Sequence, residues 1–171
     1  MATLLLTISC GFLAGAFQHQ FGVAPVLGAI LCAACFLKPK ELFLVGLGGI
    51  LVRDILAGLS LFTLVRLMGM GLVVVAILGL KMRPTFRSVL VGMLVSSPIF
   101  HLVLAIGDWA TGACSVLPKT PQGLLAAVVS AVPYFERSFL GDTLFAGLFL
   151  GAYVLAGYVF LELKTKAFSW R

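Results

Sequence analysis

Charged residues are scarce in this 171-residue chain. Asp, Glu, Lys and Arg together make up 11% of the sequence, whereas 61% of it is hydrophobic. A water-soluble domain needs a more polar surface than this composition provides, and runs of about 20 apolar residues recur along the chain. The strict alternation of apolar and polar residues that marks a membrane β-barrel is absent. The sequence therefore predicts an all-α integral membrane protein with a single transmembrane domain over residues 1–171.

Residues that carry chemistry are equally scarce. The two histidines, His19 and His101, are far apart, and there is no hydrolase motif, phosphate-binding loop or pair of carboxylates. Cys32 and Cys35 form a C-x-x-C inside an apolar run, without a second cysteine pair or a histidine nearby. This context favours packing on one helix face over a metal or redox site. We therefore expect a binding protein rather than an enzyme, with no metal site and no cofactor.

Six transmembrane spans are predicted, with an interfacial or re-entrant helix over residues 121–135 before the last one. The predicted spans cover residues 2–17, 23–37, 42–59, 62–80, 89–106 and 143–163. The run over 121–135 is too short to cross a bilayer, and Pro133 is expected to break it. Pro98 is expected to interrupt the fifth span, where Ser96 and Ser97 can satisfy the backbone groups that the kink frees.

The position of one acidic residue, next to the predicted sixth span, can also be predicted. Asp142 follows Gly141 directly before that span. A negative charge is favourable at a helix N-terminus because of the helix dipole. We therefore expect Asp142 at the N-terminus of the last helix.

Basic residues predict the orientation of the chain. The formal net charge is +6, and eight basic residues lie between spans two and three, between spans four and five, and after span six. These residues are Lys38, Lys40, Lys81, Arg83, Arg87, Lys164, Lys166 and Arg171. Because cytoplasmic loops are enriched in Lys and Arg, both termini are predicted to be cytoplasmic, in a bacterial inner membrane. Short basic clusters between apolar runs do not indicate nucleic acid, so the expected partners are membrane lipid and a small molecule.

Two charged residues interrupt the third span, Arg53 and Asp54. A charge near the bilayer centre costs at least about 2.5–3.5 kcal/mol, so such residues usually face a bundle interior or a water-filled cavity. Consecutive helical residues point about 100° apart, so each residue needs its main partner on another span. Two interpretations stay open: a structural ion pair with an arginine that snorkels to the interface, or an interior polar site lined by both residues.

Other polar side chains are expected to converge with these two toward the outer side. Arg53 and Asp54 lie roughly 17 Å into the third span. Arg66 is one turn into the fourth span from the outer side, and His101 is in the outer half of the fifth. The predicted ligand-binding residues are Arg53, Asp54, Arg66, His101, Trp109 and Tyr134, the last two as aromatic walls. Two buried arginines favour an anionic group on the ligand.

Glycines recur at a spacing of four residues on two of the spans. Gly11 and Gly15 lie on the first span, and Gly147 and Gly151 on the sixth. This spacing lets helix backbones approach closely. Two interpretations are open here as well, packing within the bundle or a docking face for another membrane protein.

Three stretches of the sequence carry a resemblance. They are 117–127 (LPKTPQGLLAA), 131–135 (AVPYF) and 140–145 (LGDTLF). Their succession resembles a family of uncharacterised bacterial membrane proteins with the motifs P-K-T-x-x-G-L-L, A-x-P-[FY]-F and L-G-D-x-x-[FY]. That family in turn resembles the substrate-binding S components of energy-coupling-factor (ECF) transporters. The start of the second span, 23–29 (VAPVLGA), and the acid on the third span fit the same pattern.

The resemblance implies an ECF S-component-like protein with six helices that captures a small micronutrient, such as a vitamin, from the outer side. Its pocket would lie among spans three to six, roofed by the loops after spans one and five. S components work with a transmembrane coupling subunit and two ATPases, which are the implied partners. Their first span often carries an Ala-x-x-x-Ala docking motif, and Gly11 and Gly15 occupy that spacing here.

A more distant resemblance suggests an alternative function. Gly48, Ile50, Asp54 and Gly58 are similar in pattern to the rod-shape-determining membrane protein MreD. This resemblance implies a structural or scaffold membrane protein whose glycine-rich faces bind partner helices.

Overall fold

The protein is all-helical throughout the part of the chain that the structure describes. The computed structural model describes the backbone of residues 26–113 and 116–169, and the side chains of 26–113, 116–152, 154 and 155. These residues form α1 (Val26–Ala34), α2 (Pro39–Ala57), α3 (Leu61–Leu80), α4 (Phe86–Thr111) and α5 (Pro121–Ser169). The all-α prediction is thereby confirmed.

Three of the described helices are long and apolar enough to cross a membrane. They are α3, α4 and the Pro121–Ala152 part of α5. The helix α2 has 19 residues, but Lys40, Glu41, Arg53 and Asp54 lie within it. The described residues thus support a membrane protein with three such helices, and they do not support the predicted number of six spans.

The short helix α1 lies at the centre of the bundle. It packs against each of the other four helices. Its most buried side chains are at most 4% exposed: Val26, Leu27, Ile30, Leu31 and Cys32. A helix that is apolar on all sides is stable only in an interior. The described part of the predicted span 23–37 is therefore a core helix.

A tight turn places the end of α2 beside the start of α3. Gly58 adopts a φ of 101°, a conformation that favours glycine. Ser60 precedes the first residue of α3, and its backbone N–H donates to Thr63 Oγ1 at 3.3 Å. Because a short connection makes successive helices antiparallel neighbours, the last turn of α2 faces the first turns of α3.

The predicted break between an interfacial helix and a sixth span is wrong. Residues Pro121–Ser169 form one helix of 49 residues, which extends about 73 Å and so exceeds the hydrocarbon core more than twofold. Pro133 lies inside it, and Pro98 lies inside α4, which is one continuous helix. The expected interruption at Pro98 is therefore wrong as well. A proline costs a helix interior about 3 kcal/mol. The helix continues because α5 packs against α1 and α4, which offsets that cost.

The serines before Pro98 behave differently from each other. Ser96 Oγ donates a hydrogen bond to the Gly92 carbonyl one turn back in α4. Ser97 Oγ is buried and has no hydrogen-bond partner among the described residues. The Ser97 carbonyl, in contrast, is 2.9 Å from His101 Nδ1.

A buried charge cluster as the candidate functional site

Asp54 and Arg66 form an ion pair between α2 and α3. Arg66 Nη1 donates a hydrogen bond to Asp54 Oδ2 at 2.8 Å. The Asp54 side chain is fully buried, and that of Arg66 is 21% exposed. Asp54 lies in the last turn of α2 and Arg66 in the second turn of α3, so the short turn between the helices brings them level. The prediction that each of the two residues has its main partner on another helix is confirmed for Asp54, whereas the charged contact of Arg53 among the described residues is with its neighbour Asp54.

Arg53 adjoins this pair without a hydrogen bond to it. Its Nε lies 3.6 Å from Asp54 Oδ1, within ion-pair distance, and its side chain is 9% exposed. Both Arg53 Nε and Asp54 Oδ1 are buried without a hydrogen-bond partner among the described residues. Arg53 therefore lies against protein instead of extending to the surface. The ion pair of the first interpretation is present between Asp54 and Arg66, whereas Arg53 does not snorkel.

An aromatic ring holds Arg66 from a second direction. The guanidinium carbon of Arg66 lies 4.9 Å from the centre of the Phe62 ring, one turn earlier in α3. Phe62 is itself 9% exposed. A cation over an aromatic face gains about 2 kcal/mol or more when both groups are desolvated. The ring and the carboxylate together fix the direction of the Arg66 side chain.

The cluster carries an excess of positive charge. Two guanidinium groups face one carboxylate, so the formal charge is +1. The chain has six acidic residues in all, and residues 1–25 contain none of them. The other five are Glu41, Asp108, Glu136, Asp142 and Glu162. None of the described carboxylates besides Asp54 lies at ion-pair distance from Arg53 or Arg66. A buried charge without a counter-charge is costly. The described side chains, which do not include that of Glu162, therefore leave this arrangement suited to a further anion.

His101, also predicted to contact the ligand, joins α4 to α5. Its ring is edge-on to Phe100 at 5.8 Å and to Phe135 at 5.5 Å, measured between ring centres. Neither these ring contacts nor the contact with the Ser97 carbonyl involves a residue of the charge cluster. The structure thus gives His101 a place in the packing of two helices.

Trp109 and Tyr134, the predicted aromatic walls, lie away from these contacts. Trp109 Nε1 donates to the Pro118 carbonyl at 2.9 Å, and the Lys119 ammonium lies 5.5 Å from the centre of the indole ring. Lys119 also donates to the Trp109 carbonyl. These contacts tie together the connection between α4 and α5. Tyr134 is 70% exposed on α5.

The glycines predicted to dock a partner fall into two groups. Gly11 and Gly15 lie outside the described residues. At Gly147 and Gly151, no described residue lies within 4 Å of the position that a Cβ would occupy. The described residues therefore show no close helix packing at this pair.

Asp142 is a second buried carboxylate, and its predicted place at a helix start is wrong. It lies well inside α5, which begins at Pro121. Its side chain is in the interior, since Asp142 is 1% exposed, and Oδ1 accepts a hydrogen bond from the Gly28 backbone N–H at 2.9 Å. Asp142 therefore caps the N-terminus of α1 instead of its own helix. The sequence signal for this buried contact was an acidic residue within an apolar stretch, because such residues are usually functional or paired.

Comparison with known proteins identifies the family of the chain. The model of a family of unknown function (DUF6580) matches residues 1–165. The chain therefore belongs to this family. No curated protein and no solved structure matches the chain significantly. The family description names no activity, so the resemblances to S components and to MreD remain expectations.

Proposed function

We propose that this member of the DUF6580 family is a membrane-embedded binding protein that captures a small anionic micronutrient, such as a carboxylate-bearing vitamin, in the manner of an ECF S component. The observation that carries the proposal is the unbalanced charge of the buried cluster. Arg53, Asp54 and Arg66 bring two cations and one anion together. A ligand anion supplies the missing charge.

The chemistry of the two arginines supports a carboxylate or a similar planar anion. A guanidinium presents several N–H donors in a fixed fork, which matches a carboxylate in a bidentate arrangement. Arg53 Nε already lacks a partner among the described residues. Arg66 is more exposed than Asp54, its partner in the ion pair, so the ligand enters from the side of Arg66. Among the described residues, no nucleophile lies beside a base at the cluster, and we propose binding without covalent chemistry.

The orientation of the bundle fits uptake from outside. The cluster lies near the α2–α3 turn, at one end of α3, whereas Lys81, Arg83 and Arg87 lie around the turn at its other end. Because basic residues favour the cytoplasmic side, this arrangement supports an outward-facing cluster. We extend the proposal to cytoplasmic termini, and to a coupling subunit with two ATPases as partners.

Identification of the ligand tests the proposal. The full-length protein is purified from bacterial membranes in detergent, denatured, and its co-purified small molecules are identified by mass spectrometry. We expect one anionic compound at a stoichiometric level. Carboxylate-bearing vitamins should then raise the melting temperature, and cationic vitamins should not. Protein that carries no anion after purification, and that no carboxylate stabilises, contradicts the proposal.

One observation favours the MreD-type scaffold as a second candidate. Beside Gly147 and Gly151, α5 exposes large apolar side chains, with Leu144 69% and Leu148 75% exposed. Glycines beside such side chains suit the close approach of a partner helix. In that case a membrane protein co-purifies with the chain, and the Gly147→Leu substitution removes it.

A further inference from the structure

A groove lies at the turn between α3 and α4, at the opposite end of α3 from the charge cluster. It is an open groove with a volume of about 230 Å³, lined by Leu80, Met82, Thr85, Arg87, Ser88 and Val91. One part of this lining is apolar, and the rest carries two hydroxyl groups and a guanidinium. The groove is thus amphipathic.

Hydrogen bonds within the turn give the groove a defined wall. The Arg83 backbone N–H donates to Ser88 Oγ at 3.0 Å, and the Thr85 N–H donates to the Arg83 carbonyl at 2.7 Å. Thr85 Oγ1 accepts the Ser88 N–H at 3.3 Å at the start of α4. These bonds fix the backbone conformation of the turn and of the first residues of α4, which include Arg87.

The surroundings of the groove are strongly basic. Lys81, Arg83 and Arg87 lie within seven residues, and the sequence has no acidic residue between Asp54 and Asp108. All three basic residues are exposed. The described residues contain no ion pair to any of them. The groove therefore has positive charge without a counter-charge from the described part of the chain.

The groove lies at the boundary of the membrane. It is at the turn that joins two helices, α3 and α4, each able to cross a bilayer. A turn between two membrane-crossing helices lies at the level of the lipid headgroups. Val91 is 45% exposed and faces away from the core, so the apolar wall continues toward the hydrocarbon region.

We propose that this groove binds the phosphate of an anionic phospholipid headgroup, with the Arg87 guanidinium on the phosphate and Leu80 and Val91 beside the first part of an acyl chain. Basic pockets between transmembrane helices are suited to anionic headgroups. A guanidinium binds phosphate through parallel N–H bonds. The apolar wall distinguishes a lipid from free phosphate, because only a lipid gains from burial against it.

Native mass spectrometry of the full-length protein in detergent tests this site. Phosphatidylglycerol, phosphatidylcholine and inorganic phosphate are each added to the purified protein, and the bound fraction is measured. We expect phosphatidylglycerol to bind preferentially. The Arg87→Gln variant should bind it about tenfold more weakly, since one hydrogen-bonded charge contributes about that much. Equal binding of the two lipids, or displacement of phosphatidylglycerol by inorganic phosphate, overturns the proposal.

Two further variants separate the groove from general surface charge. Arg137→Gln removes an exposed arginine from α5 and should change binding by less than about twofold. Val91→Trp fills the groove while every basic residue stays in place, and it should abolish the preference for phosphatidylglycerol. The melting temperature of each variant shows whether it is folded. Unchanged binding in Val91→Trp, or an equal loss in Arg137→Gln, also overturns the proposal.

Discussion

The Asp142 carboxylate in α5 accepts a hydrogen bond from the backbone N–H of Gly28 in α1, at 2.9 Å. Asp142 is 1% exposed, so this bond lies in the interior. A carboxylate is favourable there because the first N–H groups of a helix have no partner within it and carry a partial positive charge. The central helix is thus positioned by a side chain 114 residues further along the chain.

Removing the Asp142 carboxylate should loosen α1. We expect Asp142→Ala to lower the free energy of unfolding by about 1–2 kcal/mol, the usual effect of losing a helix cap. Asp142→Asn keeps an oxygen that accepts the Gly28 N–H, so it should lose less. Thermal unfolding in detergent measures both variants. An equal loss in the two would show that the hydrogen bond is not the cause.

A side chain at Gly28 should separate α1 from α5. A Cβ there would lie 2.5 Å from the backbone oxygen of Asp142, closer than non-bonded atoms allow. We expect Gly28→Ala to destabilise the protein by about 1–3 kcal/mol, because backbone has to shift. Gly79 in α3 is the matched control, since no described residue lies within 4 Å of its Cβ position. Gly79→Ala should keep the wild-type melting temperature, and a similar loss in both variants contradicts the prediction.

Removing the carboxylate of the charge cluster should be the most damaging of these changes. Asp54→Ala leaves Arg53 and Arg66 without their shared counter-charge. Breaking a buried ion pair in this way costs about 3–5 kcal/mol. Glu136→Ala serves as the control, because it removes an exposed carboxylate from α5. The midpoint of unfolding in mixed micelles compares the two variants, and a wild-type midpoint for Asp54→Ala would show that the cluster does not stabilise the fold.

The sequence predicted the charge cluster better than the rest of the site. Arg53 and Asp54 are conspicuous because charges are rare in an apolar helix, and their spacing requires partners elsewhere. Arg66 could be included because the turn near Gly58 is short. The positions of Trp109 and Tyr134 depend on the connection between α4 and α5 and on the rotation of α5. Neither the path of this connection nor the rotation of α5 can be predicted from the hydropathy of the sequence.

The misplaced break in α5 has a different cause. Pro133 and Gly141 are helix-breaking residues when only local preferences are considered. The α5 helix continues through both, since its contacts with α1 and α4 outweigh those preferences. The same error placed Asp142 at a helix start. The cap it provides to α1 involves a residue more than 100 positions away, and a single sequence does not reveal such a contact.

The open glycine pair on α5 separates the two candidate functions. Gly147 has no described residue within 4 Å of its Cβ position, so Gly147→Leu should change stability by no more than about 0.5 kcal/mol. If the protein is a binding protein for an anion, this variant should retain the co-purified small molecule at the wild-type level. Mass spectrometry of the purified variant measures this. Loss of a co-purifying membrane protein instead would favour the scaffold function.

The most direct measurement is the amount of anionic small molecule that co-purifies with Arg53→Gln, relative to wild type and to Arg137→Gln. Arg53 makes no hydrogen bond to Asp54, so its substitution should largely preserve the melting temperature. We expect the amount of ligand that co-purifies with Arg53→Gln to be lower than with wild type by a factor of about ten or more, which is the effect of losing one or two charged hydrogen bonds. Arg137→Gln should retain the wild-type amount. Full retention of an anion by folded Arg53→Gln would contradict a binding role for the charge cluster.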